Sequence, residues 1–535
     1  MTMAAWNARW REQALPGLAA EAWDLIVVGG GISGAGILRE AARRGWKCLL
    51  IEQRDFAWGT SSRSSKMVHG GLRYVAGGHL RLTHESVRER QRLLGEVPGL
   101  VVPLGYIFPH YRGAFPGPGV MGGLLTLYDV LAGRRDHRYV ALPQLHYLAP
   151  GLKEQDLLGG SLFTDALTDD ARLVIRVLSE ARAAGGEALN GLRVVELCRD
   201  GDRVVGLLAE DSESGRQFRF GSRATALATG AWSDRLRRAV GPRHIRPLRG
   251  SHLLLPSWRL PLAHALSFLH ATDGRPIFIF PWEGATVIGT TDLDHREDID
   301  LEPRISAAEV DYLLAACAQQ FPAARIGPAD VLSCWAGVRP VISSGAAGTR
   351  PSDETREHAL WTEPGCVTMA GGKLTTFRPQ ALDVLRACAP MTGKPFADDD
   401  GPTFGPLAPV PLPQLAPYQQ RRLCGRHGRE LPALAALLAQ LGSEKVGASE
   451  TLWAELALAA EQELVLHLDD LLLRRTRLGL LLAGGAAAEL PRIRRLCQPR
   501  LGWSDERWQQ EEDRYLALWQ RCYSLPATEP CEPNG

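Results

Sequence analysis

Near its start the chain carries a compact apolar run, Asp24-Leu25-Ile26-Val27-Val28-Gly29, whose β-branched residues suit a strand buried on both faces. Glycines crowd the next positions, a helical stretch covers 37–45, and a second apolar strand, Cys48-Leu49-Leu50-Ile51, ends at Glu52. This order predicts a βαβ opening. Further along, Leu253-Leu254-Leu255 reads as a strand, and 277–282 with 286–292 reads as a hairpin joined through Glu283-Gly284-Ala285. Residues 402–417 are Pro-rich and read as an extended linker. From Tyr418 onward Leu, Ala, Glu and Arg recur at helical spacing, as in 430–438, and 452–482 is leucine-rich and punctuated by charges. Of those charges, Asp470 and Arg474 have the i, i+4 spacing of a helix-face ion pair, whereas Asp469 and Arg474 do not.

At 535 residues the chain is too long for one ordinary core, which predicts two or three domains. Lys+Arg (61) nearly cancels Asp+Glu (60), so no overall field would recruit nucleic acid. The ten cysteines are scattered and form no C-x-x-C pair, which points to buried free thiols in a reducing cytoplasm and to no metal site. Residues 1–23 lack the unbroken apolar stretch of a secretory signal, and no run of about 18 uncharged apolar residues predicts a membrane-spanning helix. The expected location is therefore cytoplasmic, at most resting on a membrane surface.

The glycines are spaced as in a dinucleotide turn, Gly29-Gly30-Gly31-Ile32-Ser33-Gly34. Gly29 would make the tight turn, Gly31 would let backbone approach a pyrophosphate, and Gly34 would let helix and strand pack closely. The helix N-terminus offers free N–H groups and a positive dipole end to phosphates. Glu52 would accept hydrogen bonds from the adenosine ribose, which argues against a 2′-phosphate there. The turn alone leaves NAD and FAD open. The next segment, Thr60-Ser61-Ser62-Arg63-Ser64-Ser65-Lys66-Met67-Val68-His69-Gly70-Gly71-Leu72-Arg73-Tyr74, combines small residues on which a flat ring system can lie with hydroxyls and N–H groups for a diphosphate or ring carbonyls.

Here the chain resembles the FAD-dependent glycerol-3-phosphate dehydrogenases and the related oxidases, from about residue 24 to about 480. The markers after those two motifs run in order: Asp169-Asp170-Ala171-Arg172-Leu173, Ala228-Thr229-Gly230-Ala231-Trp232, Gly250-Ser251-His252, Ile288-Gly289-Thr290-Thr291-Asp292, Gly337-Val338-Arg339-Pro340, Gly371-Gly372-Lys373-Leu374-Thr375-Thr376-Phe377 and Asp470-Leu471-Leu472-Leu473-Arg474-Arg475-Thr476. Ser33, Met67 and Phe377 stand where many members carry other residues, small departures beside the glycines.

The resemblance implies an α/β fold: a split FAD-binding Rossmann-type domain, a substrate domain on a mixed or antiparallel sheet, and an all-helical C-terminal domain. The oxidoreductase region would span 20–395, with FAD-binding parts near 20–100, 160–240 and 350–390 and substrate-domain parts near 101–159 and 241–349. A linker over 396–417 and a helical domain over 418–525 would follow. The cofactor would be FAD. Besides the turn and the Ser-rich segment, Gly230, Gly372, Lys373, Leu374 and Thr375 are the expected flavin contacts, and a Lys or helix N-terminus at 371–376 suits the negative charge of a reduced flavin. The 277–292 hairpin would roof the flavin.

By the same resemblance Arg73, Tyr74, Arg339 and Lys373 line the glycerol-phosphate site. Arginine suits a phosphate because its planar fork makes paired hydrogen bonds. His69 and His252 are the natural proton acceptors, with Lys373 a third candidate if burial lowers its pKa. Thr290, Thr291 and Asp292 are weaker candidates for substrate contact.

The implied reaction is oxidation of sn-glycerol 3-phosphate to dihydroxyacetone phosphate, with electrons passed to a membrane quinone. An oxidase using O₂, an amino-acid oxidase of the wider superfamily and a non-catalytic flavin-binding protein are the alternatives. A homodimer and a peripheral contact with the cytoplasmic face of the inner membrane stay open. The cluster Arg492, Arg494, Arg495 and Arg500 with Leu490, Ile493 and Leu496 fits either a membrane-facing surface or, more usually, a solvated basic helix.

Overall fold

A computed structural model describes residues 5–72, 75, 78–237, 245–343, 357–399 and 401–527. The apolar run at the start forms the strand Ala22–Val28, and the helix Ile32–Arg43 and the strand Cys48–Ile51 follow it. The strand sits between two parallel neighbours, Gln217–Leu227 and Cys48–Ile51. Cys366–Gly371 and Glu187–Leu189 extend the parallel core on either side.

Both faces of this sheet are covered, as its continuous apolar strands require. Leu25, Val27 and Leu50 pack with Ala35, Leu38, Val177 and Val384 from the helices Ile32–Arg43, Asp170–Ala183 and Phe377–Thr392. Ile26, Val28, Leu49 and Ile51 face the other way, against Leu15 of the helix Ala8–Ala20 and Leu207 and Phe220 of an antiparallel extension.

A second sheet of ten strands is almost wholly antiparallel. The expected hairpin forms from Pro276–Trp282 and Ala285–Gly289, with Phe278 opposite Gly289. Ile245–Pro256, which contains the Leu253-Leu254-Leu255 run, pairs with both Ala285–Gly289 and Ser333–Ile342. On the far side Val101–Tyr111 and Leu157–Thr168 bring in Met67–Val68, the strand at the centre of the Ser-rich segment. The two sheets thus share that segment, and the site lies between them.

The C-terminal part is helical, with Pro417–His427, Leu431–Leu441, Trp453–Gln462, Leu490–Leu501 and Asp505–Cys522 as its main helices. Segment 401–416 contains no helix or strand, and it is pinned to the body rather than loose. Phe404 is buried in the first core, Arg39 Nε donates to Thr403 O at 2.7 Å, and Glu96 accepts from the N–H groups of Thr403 and Phe404.

One expectation changes here. Asp470–Arg475 is a π-helical segment, and in this wider turn Arg474 bonds Asp469 at 2.6 Å as well as Asp470 at 2.5 Å. Nor is this an exposed helix face. Asp469, Asp470, Arg474 and Arg475 are all buried and form one ionic cluster with Asp55, while Arg426 and Arg477 with Asp169 and Asp170 form a second.

The basic run takes the more usual of its two readings. Arg492, Arg494 and Arg500 pair with Glu444, Asp505 and Glu461, while Leu490 and Ile493 are buried and Leu496 is partly buried. A helix whose apolar side is already packed has none to offer a bilayer, so this is a solvated basic helix. The nine described cysteines are free thiols, and all but Cys424 are buried. Cys531 lies outside the described residues. No described helix is long and apolar enough to cross a membrane.

Candidate active site

The dinucleotide turn is held by close packing. Gly29 has φ +113°, and a Cβ on Gly34 would stand 1.8 Å from Gly29 O, so helix and strand meet only because both positions lack a side chain. Ser61 Oγ accepts from Ile32 N at 3.0 Å at the first helical position. Glu52 Oε2 accepts from Gly30 N at 2.6 Å, and Oε1 accepts from Arg54 N at 2.9 Å. Burial raises the Glu52 carboxyl above its usual range, and these two N–H bonds pull against that rise.

The turn opens onto a cavity of about 520 Å³ bordered by Gly29, Gly31, Ile32, Ser33, Glu52 and Gly230. Thr60 and Ser64, together with Gly372, Lys373 and Leu374, also border a second cavity of about 550 Å³. The result is one elongated hollow, with a helix N-terminus near one end and a chamber between the sheets at the other. That shape, with the glycine packing that keeps it open, fits an extended dinucleotide such as FAD.

The chamber gathers most of the expected substrate residues. Ser65, His69, Gly71, His252, Arg339, Lys373 and Thr375 all line it. Its far wall is apolar, formed by side chains such as Leu72, Tyr106, Phe108, Leu124, Phe163 and Phe278. Arg73 and Tyr74 lie outside the described residues.

Four expected cofactor contacts border neither cavity. Gly34 and Gly70 serve packing: a Cβ on Gly70 would meet Tyr128 Oη at 2.2 Å, and its N–H donates to Asp165. Ser62 is buried and offers its carbonyl to Lys66 Nζ at 2.5 Å. Lys66 Nζ also donates to Asp170 at 2.9 Å, beneath the rings of Trp282 and Trp335. Burial, with Arg477 close by, pushes this ammonium down to about 7 against the pull of Asp170. Lys66 thus belongs to the ionic cluster of Asp170 and Arg477 behind the site, a correction to its reading as a cofactor contact.

His252 is fully buried and stacks on Trp335, with ring centroids 4.7 Å apart. Its Nε2 lies 2.9 Å from Ser65 Oγ, and a Cβ on Gly289 would strike the ring at 2.1 Å. Burial, then the charges of Arg339 and Lys66, hold the imidazole well below its ordinary pKa. It is therefore neutral at pH 7 and able to accept a proton. His69 lies on the same chamber, its carbonyl accepting from Thr375 Oγ1 at 3.3 Å. Lys373 precedes the short helix Leu374–Thr376 and donates to Ser86 Oγ at 2.5 Å.

Arg339 reaches across the neighbouring strand to Asp292 Oδ1 at 3.2 Å and Thr290 Oγ1 at 3.3 Å. It has room because position 250 is glycine: a Cβ there would meet Arg339 Nη2 at 2.6 Å and Thr290 Oγ1 at 2.7 Å. Thr291 turns away from the chamber, donating to Glu309 at 2.7 Å and accepting from Ser251 N. Two chamber residues escaped the sequence reading. Asp165 gathers Arg90, Tyr128 Oη and Gly70 N, and Arg275 lies 3.4 Å from Asp292 Oδ2. Arg275 is framed by Gly274 and Pro276, much as Val338 and Pro340 frame Arg339, and that framing was the available signal.

Comparison with known proteins resolves what the turn leaves open. Residues 24–378 match the model of the FAD dependent oxidoreductase family, and residues 395–508 match the C-terminal domain of alpha-glycerophosphate oxidase. A glycerol-3-phosphate dehydrogenase of Mycobacterium leprae is 33% identical over 93% of this chain and 88% of its own length. The chain belongs to the FAD-dependent glycerol-3-phosphate dehydrogenase family. As a member of this family of flavoprotein oxidoreductases, it has FAD as its cofactor. The aerobic glycerol-3-phosphate dehydrogenase of Bacillus subtilis is 36% identical, covering 70% of this chain and 68% of the relative. A crystal structure titled as the glycerol-3-phosphate dehydrogenase from Bacillus halodurans complexed with FAD superposes with a TM-score of 0.77 at 26% identity, covering 98% of this chain and 100% of the other. The split flavin domain, mixed sheets and helical C-terminal domain expected of the family are those of the observed fold.

Proposed function

We propose that this family member oxidises sn-glycerol 3-phosphate to dihydroxyacetone phosphate and passes the electrons to a quinone. The observation that carries this reading is the chamber's polar end, where Arg339, Lys373 and a neutral His252 converge next to the flavin hollow. FAD, when bound, supplies the acceptor for the hydride leaving the secondary alcohol carbon. Arg339 holds the phosphate by its planar fork, with Arg73 and Tyr74 expected beside it from the family motif. The hydroxyl proton passes to Ser65 Oγ as the Ser65 proton moves to His252 Nε2, and His69 is the rival for that task. Lys373 steadies both substrate and flavin.

The apolar wall suits an acceptor that dissolves in a membrane. The helix Pro118–Ala132 contributes Met121 and Leu124 to that wall and turns Val120, Leu127 and Val130 outward. Phe115, on the chamber and 76% exposed, stands beside them, and Arg112, Arg134, Arg135 and Arg138 flank the patch. An uncharged outer face with a basic rim supports peripheral contact with a membrane. The match to an oxidase's C-terminal domain favours O₂ as the second reading.

The test is anaerobic titration of the bound flavin. Glycerol 3-phosphate should bleach it, while glycerol and amino acids should not; bleaching by an amino acid alone would overturn the reading. Stopped-flow mixing of reduced enzyme with a short-chain quinone or with O₂ then identifies the acceptor, and fast peroxide formation would favour the oxidase. Single-turnover reduction of His252→Asn and His69→Asn separates the two candidate bases.

A further inference from the structure

Arg275 lies on the chamber at the start of the roof hairpin, outside the motifs quoted above. The antiparallel register pairs Phe278 with Gly289 and Trp282 with Ala285. Carried three residues outward, the same alignment sets Arg275 opposite Asp292. The contacts agree: Arg275 Nη2 is 3.4 Å from Asp292 Oδ2, and Arg339 Nη1 is 3.2 Å from Asp292 Oδ1. The carboxylate is therefore shared by two guanidiniums, one from each side.

Exposure separates the roles. The Asp292 side chain is 1% exposed, whereas those of Arg275 and Arg339 are 22% and 24% exposed and both line the chamber. The acid is a buried anchor, and the two arginines face the space a ligand would enter. One carboxylate between two guanidiniums leaves a net charge of +1 on the trio, the sign a phosphate requires. Pro276 fixes the backbone on one side of Arg275, and Gly274 with φ +68° makes the turn on the other. A guanidinium fork presented from a rigid strand end suits a tetrahedral oxyanion better than a flexible point charge does.

We propose that Arg275 is a second phosphate-binding arm beside Arg339, and that Asp292 is the positioning residue that spaces the two guanidiniums and aims them into the chamber. This deepens the glycerol 3-phosphate reading given above and rests on it. The phosphate dianion is received between the two forks while Asp292 stays behind them.

The test uses the FAD-loaded full chain. Arg275→Gln should raise KM for glycerol 3-phosphate by about 10- to 100-fold and lower kcat far less, the pattern of a lost binding contact. Competitive inhibition by inorganic phosphate should weaken in parallel. Arg275→Lys, which keeps the charge and loses the fork, should fall between. Asp292→Ala should raise KM as well, and the Arg275→Gln/Asp292→Ala pair should exceed Arg275→Gln by less than the Asp292→Ala factor alone, because part of the acid's effect runs through the Arg275 arm and the rest through Arg339. A KM for Arg275→Gln within about threefold of wild type would overturn the phosphate-arm assignment. Fully multiplicative effects in the pair would overturn the positioning role. If Arg275→Gln fails to retain FAD, Arg275→Lys decides, and unchanged phosphate inhibition in it sinks the idea. If glycerol 3-phosphate leaves the wild-type flavin unbleached, the broader functional reading fails instead. Titrating wild type and Arg275→Gln with inorganic phosphate, followed by the flavin spectrum, then still reads the anion site.

Discussion

Arg475→Met tests the ionic network behind the flavin segment. Arg475 is fully buried, and its two Nη atoms donate to the two oxygens of Asp55 at 2.7 Å each, while Nε donates to Glu463 O at 2.9 Å. Asp55 is itself 3% exposed, and it also accepts from Asn190 Nδ2 and from Arg474 Nε at 2.5 Å. Methionine preserves much of the volume and removes the charge. Breaking one side of a buried pair costs about 3–5 kcal/mol, because the remaining charge stays away from water without its partner. Arg474 remains on Asp55 and screens part of that penalty, so the loss should fall near the lower end, about 3 kcal/mol. Asp55→Asn removes the stranded charge, so the Asp55→Asn/Arg475→Met pair should be less destabilised than the sum of the singles by about 1 kcal/mol or more. Urea unfolding at neutral pH, followed in parallel by flavin fluorescence and far-ultraviolet circular dichroism, measures both quantities. High salt should leave the difference nearly intact, since ions do not enter the network. A loss below about 1 kcal/mol for Arg475→Met, or strict additivity in the pair, would show that the network is not the support described.

Other substitutions probe other links. Gly250→Ala places a methyl 2.6 Å from Arg339 Nη2; it should raise KM for glycerol 3-phosphate by about tenfold or more with FAD retained, and an unchanged KM would refute the crossing geometry. Burial, offset in part by the bond to Glu455, lowers His427 to about 4, so the folded chain keeps it neutral while the unfolded chain protonates it below about 6.5. Its contribution is therefore complete above about pH 6.5 and lost as pH falls toward 4, by up to about 3 kcal/mol, and His427→Gln should flatten a urea-derived stability profile in that window. Val130→Glu and Leu127→Glu change side chains that are 70% and 39% exposed; both should reduce co-sedimentation with phosphatidylglycerol vesicles and leave the melting temperature nearly unchanged. Equal vesicle binding by wild type and variants would dismiss the helix Pro118–Ala132 as the contact face.

What the sequence disclosed was local. Gly29 and Gly34 could be read because their clash lies within one turn of chain, where spacing alone dictates geometry. The strands at 24–29, 48–51 and 277–292 were legible for the same reason, since period-two and all-apolar patterns belong to single elements. Arg275 and Asp165 were not. Asp165 reaches the chamber through pairing with a strand about 60 residues earlier, and Arg275, at the end of a legible hairpin, gains its role only beside Arg339, 64 residues on; pattern along the chain carries no record of either neighbour. The charges at 469–475 misled in a different way: an aspartate or arginine among leucines is normally a solvated face, and only the fold reveals that Asp55, 419 residues before Arg474, waits as a partner. Lys66 was drawn into the cofactor set by its neighbours, although its own side chain points behind them.

The contact between Tyr523 and the flavin segment bears on the order of biosynthesis. Tyr523 Oη bonds Glu302, and Glu302 bonds Arg63 within the Ser-rich run, so three parts of the chain more than 200 residues apart close one buried knot. Arg63 and Glu302 emerge from the ribosome long before their tyrosine partner, and the parallel sheet needs strand Cys366–Gly371 from between them. A chain still being translated therefore has every residue that borders the two cavities once Thr375 has emerged, but Arg63 on the chamber wall gains its last buried partners only when the final helix has docked.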